Sequence, residues 1–204
     1  DKDIVEEVVQ WVASGQCVVY PTSTLPALGC IPEASSLDTL FSIKNRASSM
    51  PVSIGVVDLE QASGIVEIPE DVPEILAAFP MGSLTIILRA HEKMDARLGG
   101  NKIAVRVISH PTARALIELT GPLTATSANR SGEVPVVDCV TAAELLSTPE
   151  SSVVGVEGVC EGGSPSTLIA WHTVCDSTES LNIKVVREGK ISSRDVFSWW
   201  KRVT

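Results

Sequence analysis

The sequence predicts an α/β fold, a twisted mixed sheet with flanking helices, and two observations support this class. Strand-like and helix-like segments alternate along all 204 residues, with no repeat or low-complexity linker between them. Hydrophobic residues make up 44% of the chain, whereas aromatic residues make up only 4%. The core is therefore expected to consist of Val, Ile, Leu and Ala, which suits sheets covered by helices. This length fits a single domain over residues 1–204.

Apolar positions spaced three and four residues apart predict the helices. Asp3 is expected to cap the first helix, with Glu6 completing a capping box, and Ser35 or Ser36 is expected to cap the second. Pro111 is expected to open a later helix, because proline is favoured at a first helical position. The predicted helices are 3–14, 35/36–44, 69–79, 111–120, 141–146 and 192/193–200.

Short apolar runs bounded by glycine, proline and polar residues predict the strands. The longest irregular stretch, about 157–166, is glycine-rich and is expected to form a loop. The predicted strands are Gln16–Tyr20, Val52–Val57, Leu84–Leu88, Ile103–Val107, Leu123–Thr126, Val153–Val156, Thr167–Trp171 and Ile183–Val186.

The basic residues are unevenly distributed along an acidic chain. The formal net charge is −9, which argues against a broad basic surface for nucleic acid. Residues 3–43 and 131–183 contain no Lys or Arg. If the basic segments meet in space they form a positive patch that steers a small anion inward; if they do not, they are scattered surface charges.

Several classes of protein lack support in the sequence. No apolar run approaches the roughly 18 residues needed to cross a bilayer, and the acidic start does not resemble a signal peptide. The five cysteines form no C-x-x-C pair, so buried reduced thiols in a cytoplasmic protein are expected. The three histidines are far apart in sequence. We therefore expect no metal site made of protein side chains.

Four polar segments are candidates for a ligand site, and each also has a plain structural interpretation. The hydroxyl-rich residues 20–24 follow a strand, and residues 124–132 do the same, so both are either ligand loops or ordinary turns. Lys44 and Arg46 suit phosphate or carboxylate, or they complement the C-terminus of their helix. The fourth is the glycine-rich segment 162–167, which is followed along the chain by Arg187.

The order and spacing of these segments resemble the YrdC family of threonylcarbamoyl-adenylate synthases over about residues 15–191. The motifs that carry the resemblance are Tyr-Pro-Thr-x-Thr at 20–24, Lys-x-Arg at 44–46, Pro-Val at 51–52, Gly-x-Leu-Thr at 82–85, Val-Arg-Val at 105–107, Thr-Ser-Ala-Asn-x-Ser-Gly at 126–132, Pro-Ser-Thr at 165–167 and Arg-Glu-Gly at 187–189.

The resemblance implies a twisted α/β sheet around a large open groove of positive potential. It also implies an enzyme, a nucleotidyltransferase, that uses ATP, L-threonine and bicarbonate to make threonylcarbamoyl-adenylate and pyrophosphate. That product serves threonylcarbamoylation of adenosine 37 in tRNA. ATP is then a substrate that brings Mg²⁺ with it. The groove also suggests contact with tRNA or double-stranded RNA, although the net charge of −9 argues against an extended one.

The resemblance further assigns roles to eight residues. The catalytic cations are Lys44 and Arg46. The threonine part is contacted by Thr22, Arg46 and Ser166. The nucleotide is contacted by Thr24, Lys44, Ser127, Asn129 and Arg187.

The chain departs from the family most clearly at residues 23–27. The family usually reads Pro-Thr-Asp-Thr-x-Tyr-Gly-Leu, whereas Ser23, Pro26 and Ala27 replace the acid, the aromatic residue and the glycine here. This departure leaves two alternatives to the synthase open. One is a non-catalytic relative that binds a nucleotide or RNA, and the other is a carbamoyl or acyl transferase acting on a different amino acid.

Overall fold

A computed structural model describes residues 2–175 and 182–204, and its helices and strands alternate along the chain, which confirms the predicted mixed α/β class. The helices are α1 Lys2–Ala13, α2 Ala34–Lys44, α3 Leu59–Ser63, α4 Val72–Ala78, α5 Pro111–Thr120, α6 Cys139–Leu146 and α7 Ser193–Val203. The strands are β1 Val18–Tyr20, β2 Ala27–Gly29, β3 Ile54–Val56, β4 Leu84–Arg89, β5 Lys102–Val107, β6 Leu123–Thr124, β7 Thr126–Ser127, β8 Val154–Gly155, β9 Thr167–Ala170 and β10 Lys184–Arg187.

The strands form two mixed sheets where the sequence predicted one. The small sheet has the order β7-β2-β1-β8, and the large sheet has the order β10-β9-β4-β5-β3-β6. The single strand predicted at 123–126 divides between them, because β6 pairs with β3 and β7 pairs with β2. Ala125 joins the two strands, and its backbone N–H donates to the carbonyl of Ser53 at 2.8 Å. One extended segment therefore belongs to both sheets.

The two predicted N-terminal helix caps were wrong. Helix α1 begins at Lys2, so Asp3 lies inside its first turn. Helix α2 begins at Ala34, after Glu33 in extended conformation and without a side-chain cap, so neither Ser35 nor Ser36 caps it. The C-terminus of α2 falls at Lys44 as predicted, because Asn45 adopts the left-handed conformation with φ 49°. That turn separates Lys44 from Arg46.

Two elements escaped the sequence analysis. Strand β2 has only three residues and lies directly after Pro26, so it offers no alternating pattern long enough to recognise. Helix α3 is a single short turn that Asp58 caps by accepting a hydrogen bond from the N–H of Gln61 at 2.8 Å. Helix α4 also starts later than predicted, at Val72.

The core is mainly aliphatic, as predicted, and it also contains five aromatic residues, Tyr20, Phe41, Trp171, Trp199 and Trp200. One buried cluster surrounds the large sheet and includes α7, and a second lies between α1, α5 and β1. Trp171 and Tyr20 are fully buried within these clusters. Cys17, Cys30 and two other cysteines are buried, as the sequence predicted.

Candidate active site

A cavity of about 900 Å³ lies between the two sheets. Strands β2 and β7 of the small sheet line one side, and β4, β5, β9 and β10 of the large sheet line the other. Five basic residues contribute to its described lining, which contains no carboxylate, and they are Arg46, Lys102, Arg106, Lys184 and Arg187. They come from three separate basic stretches of the sequence, so these stretches meet in space at one cavity.

Five of the eight residues singled out in the sequence line this cavity. They are Thr24, Arg46, Ser127, Ser166 and Arg187. The remaining three lie outside the described lining and are Thr22, Lys44 and Asn129. The roles that the resemblance assigns to all eight stay predictions, because no ligand is present to test them.

Arg46 reaches the cavity from the turn that ends α2. Its Nε donates to the carbonyl of Met50 at 2.7 Å, and its Nη2 donates to the carbonyl of Pro51 at 2.9 Å. Partial burial lowers the pKa of Arg46, and the nearby charge of Arg187 lowers this pKa further. The two guanidinium groups therefore share one electrostatic environment, which a bound anion would stabilise.

Lys44 is 2% exposed, lies outside the described cavity lining and holds the loop that contains Ser127 and Asn129. Its Nζ donates to the backbone carbonyl of Asn129 at 2.7 Å and also to that of Ser127. Burial lowers the pKa of Lys44 to about 8, and the charge of Arg46 contributes to the same shift. In this arrangement Lys44 fixes the position of Ser127, whose side chain lies on the cavity.

The amide of Asn129 organises the same loop. Its Nδ2 donates to the carbonyl of Arg130 at 3.0 Å and to that of Glu133 at 2.8 Å. Its Oδ1 is buried and has no hydrogen-bond partner in the described structure. An acceptor left without a donor is costly, so this oxygen is an unsatisfied polar group within the loop.

Hydrogen bonds from its own side chains fix the conformation of the hydroxyl-rich loop after β1. Thr22 Oγ1 donates to the carbonyl of Leu25 at 2.7 Å and accepts from the N–H of Thr24 at 3.1 Å. The N–H of Thr22 donates to the Sγ of Cys160 at 3.4 Å. Both threonines are buried, and Thr24 belongs to the cavity lining.

Arg106 is the site residue that sequence reasoning missed. It is 6% exposed, its Nε donates to the carbonyl of Gly82 at 2.8 Å, and its Nη2 donates to the hydroxyl of Thr24 at 2.9 Å. Burial lowers the pKa of Arg106 to about 10, and Arg187 adds to the effect. An arginine between Val105 and Val107 in an apolar strand was the available signal, since a buried charge is rarely accidental.

Ser166 and Arg187 form the part of the lining next to the glycine-rich loop. Ser166 Oγ lies 2.6 Å from the hydroxyl of Thr85, and both hydroxyls are buried. Arg187 donates from Nη2 to the backbone carbonyl of Ser166 at 2.7 Å. The glycine-rich loop also contacts the hydroxyl-rich loop, since the N–H of Gly162 donates to the carbonyl of Thr24 at 2.8 Å.

The donor set in the cavity consists of guanidinium groups, amines and hydroxyls. Over residues 2–175 and 182–204, no group of three or more His, Cys, Asp and Glu side chains could hold a metal ion. Such a lining suits the oxygens of an anionic substrate, so Mg²⁺ delivered together with ATP stays a prediction. In the same described ranges, no helix is both long and apolar enough to span a membrane.

Comparison with known sequences defines the family. The Sua5/YciO/YrdC family model, which carries the description telomere recombination, matches residues 10–189. This chain therefore belongs to the Sua5/YciO/YrdC family, as the order of its motifs predicted. The threonylcarbamoyl-AMP synthase of Vibrio vulnificus is 32% identical over 136 residues, which cover 63% of this chain and 73% of that protein.

Solved structures agree with this assignment. Pyrococcus abyssi Sua5, crystallised with L-threonine, superposes with a TM-score of 0.83 at 25% identity. The match covers 97% of this chain but only 57% of that protein. E. coli YciO superposes with a TM-score of 0.76 at 25% identity, covering 93% of this chain and 91% of its own. The overall fold is thus shared within the family.

Proposed function

We propose that this chain is a threonylcarbamoyl-AMP synthase. One observation carries the proposal: a cavity of about 900 Å³ lined by five basic residues and several buried hydroxyls, with no carboxylate in its described lining. Ligand pockets are commonly about 300–1,000 Å³, so this volume suits a nucleotide together with a small amino acid. The membership of the chain in a family that contains named synthases supports the choice of these substrates.

The reaction converts ATP, L-threonine and bicarbonate into threonylcarbamoyl-AMP, pyrophosphate and water. The threonine amine attacks the carbon of bicarbonate, and water leaves to give a carbamate. A carbamate oxygen then attacks the α-phosphorus of ATP, and pyrophosphate leaves. Every reactant except the amine is an anion, so the main task of the protein is to bring like charges together and neutralise them.

Each described side chain has a role in this scheme. Arg46 and Arg187 bind the phosphates, with Arg46 also contacting the threonine carboxylate. Lys44 acts with Arg46 by holding Ser127 and Asn129 against the nucleotide. Thr22 and Ser166 contact the threonine part and Thr24 contacts the nucleotide, while Thr22 and Thr24 together fix the loop that carries them.

The cationic lining also favours the reactive form of the amine. Burial and nearby positive charge both disfavour an ammonium group and lower its pKa, as they lower the pKa values of Lys44 and Arg46. Threonine bound among guanidinium groups is therefore more readily present as the free amine that the first step requires. This effect needs no dedicated general base.

The altered segment at 23–27 is built into the fold. Ala27 pairs with Tyr20 in β1 and with Ser127 in β7, and the carbonyl of Pro26 accepts from the N–H of Ala128 at 2.9 Å. These contacts keep Pro26 and Ala27 in the cavity wall, and none of them favours a protein that only binds its ligand. The departure instead makes amino-acid preference the property to examine.

The test is an assay of purified protein with ATP, [¹⁴C]bicarbonate and a panel of amino acids. We expect radiolabelled threonylcarbamoyl-AMP and pyrophosphate with L-threonine, and much less product with serine, alanine or valine. Arg46→Ala should abolish most of the product, whereas Arg194→Ala on the exposed face of α7 should not. ATP binding without product for any amino acid would refute the proposal.

A further inference from the structure

Two cysteines meet where the N-terminus of α6 lies against the glycine-rich loop at 157–166. Asp138 and Val159 form an isolated antiparallel bridge between these segments. The N–H groups of Cys139 and Cys160 each donate across the bridge to a carbonyl of the other segment, at 3.0 and 2.8 Å. Because side chains alternate along paired extended segments, the two cysteines, each one residue beyond the bridge, lie on the same face.

The two thiols interact directly, and the interaction makes them chemically unequal. A hydrogen bond from the Cys139 thiol raises the pKa of Cys139 well above its ordinary range and lowers the pKa of Cys160 to about 7, although burial opposes the second shift. The N–H of Thr22, 3.4 Å from the Cys160 sulfur, and the charge of Arg106 lower the pKa of Cys160 further. At neutral pH Cys160 is therefore substantially a thiolate, the nucleophilic form of the side chain, next to a protonated thiol.

Cys160 lies just beneath the protein surface. Its side chain is 6% exposed, whereas its neighbours along the loop, Val159 and Glu161, are both exposed, Val159 to 67%. A bulky reagent is excluded by such burial, but a molecule as small as hydrogen peroxide is not. Cys139 is fully buried, and it needs no access to solvent because its partner is the sulfur of Cys160.

The other three cysteines lack this combination of features. Cys17 and Cys30 also share a thiol hydrogen bond, at the end of the ladder between β1 and β2, but both are fully buried in the core. Cys175 is more exposed, and its sulfur contacts backbone carbonyls of β9 and the residue that follows. Cys160 thus combines a thiolate, a neighbouring thiol and a position near the surface.

The loop that carries Cys160 supports the hydroxyl-rich loop of the cavity. The Cys160 sulfur accepts the N–H of Thr22 at 3.4 Å, and the N–H of Gly162 donates to the carbonyl of Thr24 at 2.8 Å. A disulfide bond is roughly 2.05 Å long, shorter than any contact between sulfur atoms that are not bonded. Forming one with Cys139 would draw the Cys160 sulfur towards α6 and remove the thiolate that accepts from Thr22.

We propose that Cys139 and Cys160 form a redox-active pair, which a hydroperoxide converts to a disulfide that weakens binding of L-threonine. The effect on L-threonine rests on the proposed function, in which Thr22 contacts that substrate, whereas the disulfide itself does not depend on it. Disulfides of this kind in intracellular proteins are usually transient and serve redox sensing.

The chemistry balances with one hydrogen peroxide for each disulfide. The Cys160 thiolate attacks one peroxide oxygen, the O–O bond breaks, and a sulfenic acid and hydroxide form. The hydroxide takes up the proton that Cys160 had lost and becomes water. Cys139 then attacks the sulfenic sulfur, its proton leaves with the displaced hydroxyl group as a second water, and the S–S bond forms. Two thiols are oxidised and one peroxide is reduced.

The experiment maps disulfides in the full chain after treatment with hydrogen peroxide. All proteins carry Cys175→Ser, because Cys175 belongs to the cavity lining and would itself react. Remaining thiols are alkylated, and mass spectrometry of a non-reducing digest is expected to show a peptide pair joined through Cys139 and Cys160 that dithiothreitol separates. Adding Cys139→Ala should abolish this link and leave Cys160 as a sulfinic acid. Adding Cys30→Ala, which removes one thiol of the other buried pair, is the matched control and should preserve the link.

Two outcomes of the mapping would overturn the pair. One is peroxide treatment that oxidises Cys160 without linking it to Cys139, and the other is a link that joins only Cys17 and Cys30. Should Cys139→Ala fail to fold, Cys160→Ser decides, because it changes a side chain near the surface and must also abolish the link.

Steady-state kinetics of the same proteins test the consequence for the cavity. Oxidation of the Cys175→Ser protein should raise the KM for L-threonine roughly 3- to 10-fold, as expected for one lost hydrogen bond, and change the KM for ATP by less than about 2-fold. Dithiothreitol should reverse the change, and peroxide should have no such effect once Cys160→Ser is added. A disulfide that leaves the KM for L-threonine unchanged would overturn the link to substrate binding. If the chain makes no threonylcarbamoyl-AMP, the proposed function fails, while the peptide map still decides whether the disulfide forms.

Discussion

The two walls of the cavity are each held by one buried cation, but the two cations use their donors differently. On the lysine wall, formed by residues 44–46 and 124–130, Lys44 donates to two backbone carbonyls and does not reach the described lining. On the arginine wall, formed by residues 22–27 and 82 with Arg106, the guanidinium holds one carbonyl and one hydroxyl closely and keeps an edge on the cavity.

The difference shows that charge alone does not define a residue's part in the site. Both cations are almost completely buried, and burial lowers the pKa of each. The geometry of the donors separates their roles. The single nitrogen of Lys44 is engaged by two neighbouring carbonyls, whereas a planar guanidinium group can bind protein atoms along one edge and leave N–H donors on another. Substitution of Lys44 is therefore expected to lower mainly the free energy of unfolding, whereas substitution of Arg106 is expected to lower mainly the affinity for substrate.

The largest effect is expected from Lys44→Met. The substitution leaves the carbonyls of Ser127 and Asn129 without their donor, so unfolding free energy should fall by about 2–4 kcal/mol and kcat/KM by roughly 100- to 1,000-fold. Urea unfolding and initial rates measure the two quantities, with Lys201→Met on α7 as the control. Lost activity with unchanged stability would instead place Lys44 directly on a substrate.

Alkaline pH provides a second test of the lysine wall. The pKa of Lys44 is lowered from 10.5 to about 8 on folding, so between these values the unfolded state binds more protons and stability rises with pH. Relative to Lys44→Met, the unaltered chain should gain up to about 3 kcal/mol of unfolding free energy between pH 7 and pH 10.5. Urea titrations of both proteins across this range would show parallel curves if Lys44 were not buried as a cation.

Arg46→Ala tests the cation of the lysine wall that, unlike Lys44, lines the cavity. We expect the KM for ATP to rise about 10- to 50-fold, because a charge-assisted phosphate contact is lost. The unfolding free energy should change by less than about 1 kcal/mol, since the carbonyls that Arg46 contacts belong to a partly exposed turn. A large loss of stability with an unchanged KM for ATP would show that Arg46 stabilises the fold, as Lys44 does, and does not bind substrate.

The smallest effect concerns Gly82 on the arginine wall. Gly82 has φ +83°, and a Cβ at this position would approach Ser23 Oγ to 2.6 Å. Gly82→Ala should therefore cost about 1–2 kcal/mol of unfolding free energy, and adding Ser23→Ala should recover part of it. A double-mutant cycle measures this coupling. Strictly additive changes would show that the backbone conformation alone requires the glycine.

Sequence reasoning reached the fold class, the predicted boundary of α2 at Lys44 and five residues of the cavity lining. These features depend on local patterns: apolar spacing, turn residues and polar groups that follow strands. The cap expected at Ser35 or Ser36 failed because Glu33 already leads into the helix in an extended conformation. Local composition does not reveal which of several adjacent residues begins the first turn.

The rest depended on contacts between distant segments. The spacing of Lys44 and Arg46 predicts neighbouring cations, but only tertiary structure places one behind the wall and the other on the cavity. Arg106 lies 60 residues from Arg46 in the numbering, and its importance appears only when β4 and β5 pair. The division of 123–127 between two sheets is equally hidden, because its alternating pattern reads as one strand.

The divided segment at 123–127 joins the two sheets on either side of the cavity. Leu123–Thr124 forms one edge of the large sheet, Thr126–Ser127 forms one edge of the small sheet, and a single residue, Ala125, links them. At this link the two sheets are separated along the chain by one residue, which is about 3.3 Å of extended backbone. The opposite edge of the large sheet is β10, which carries the cavity-lining residue Arg187. The cavity therefore extends across the large sheet, from Ala125 at one edge to Arg187 at the other.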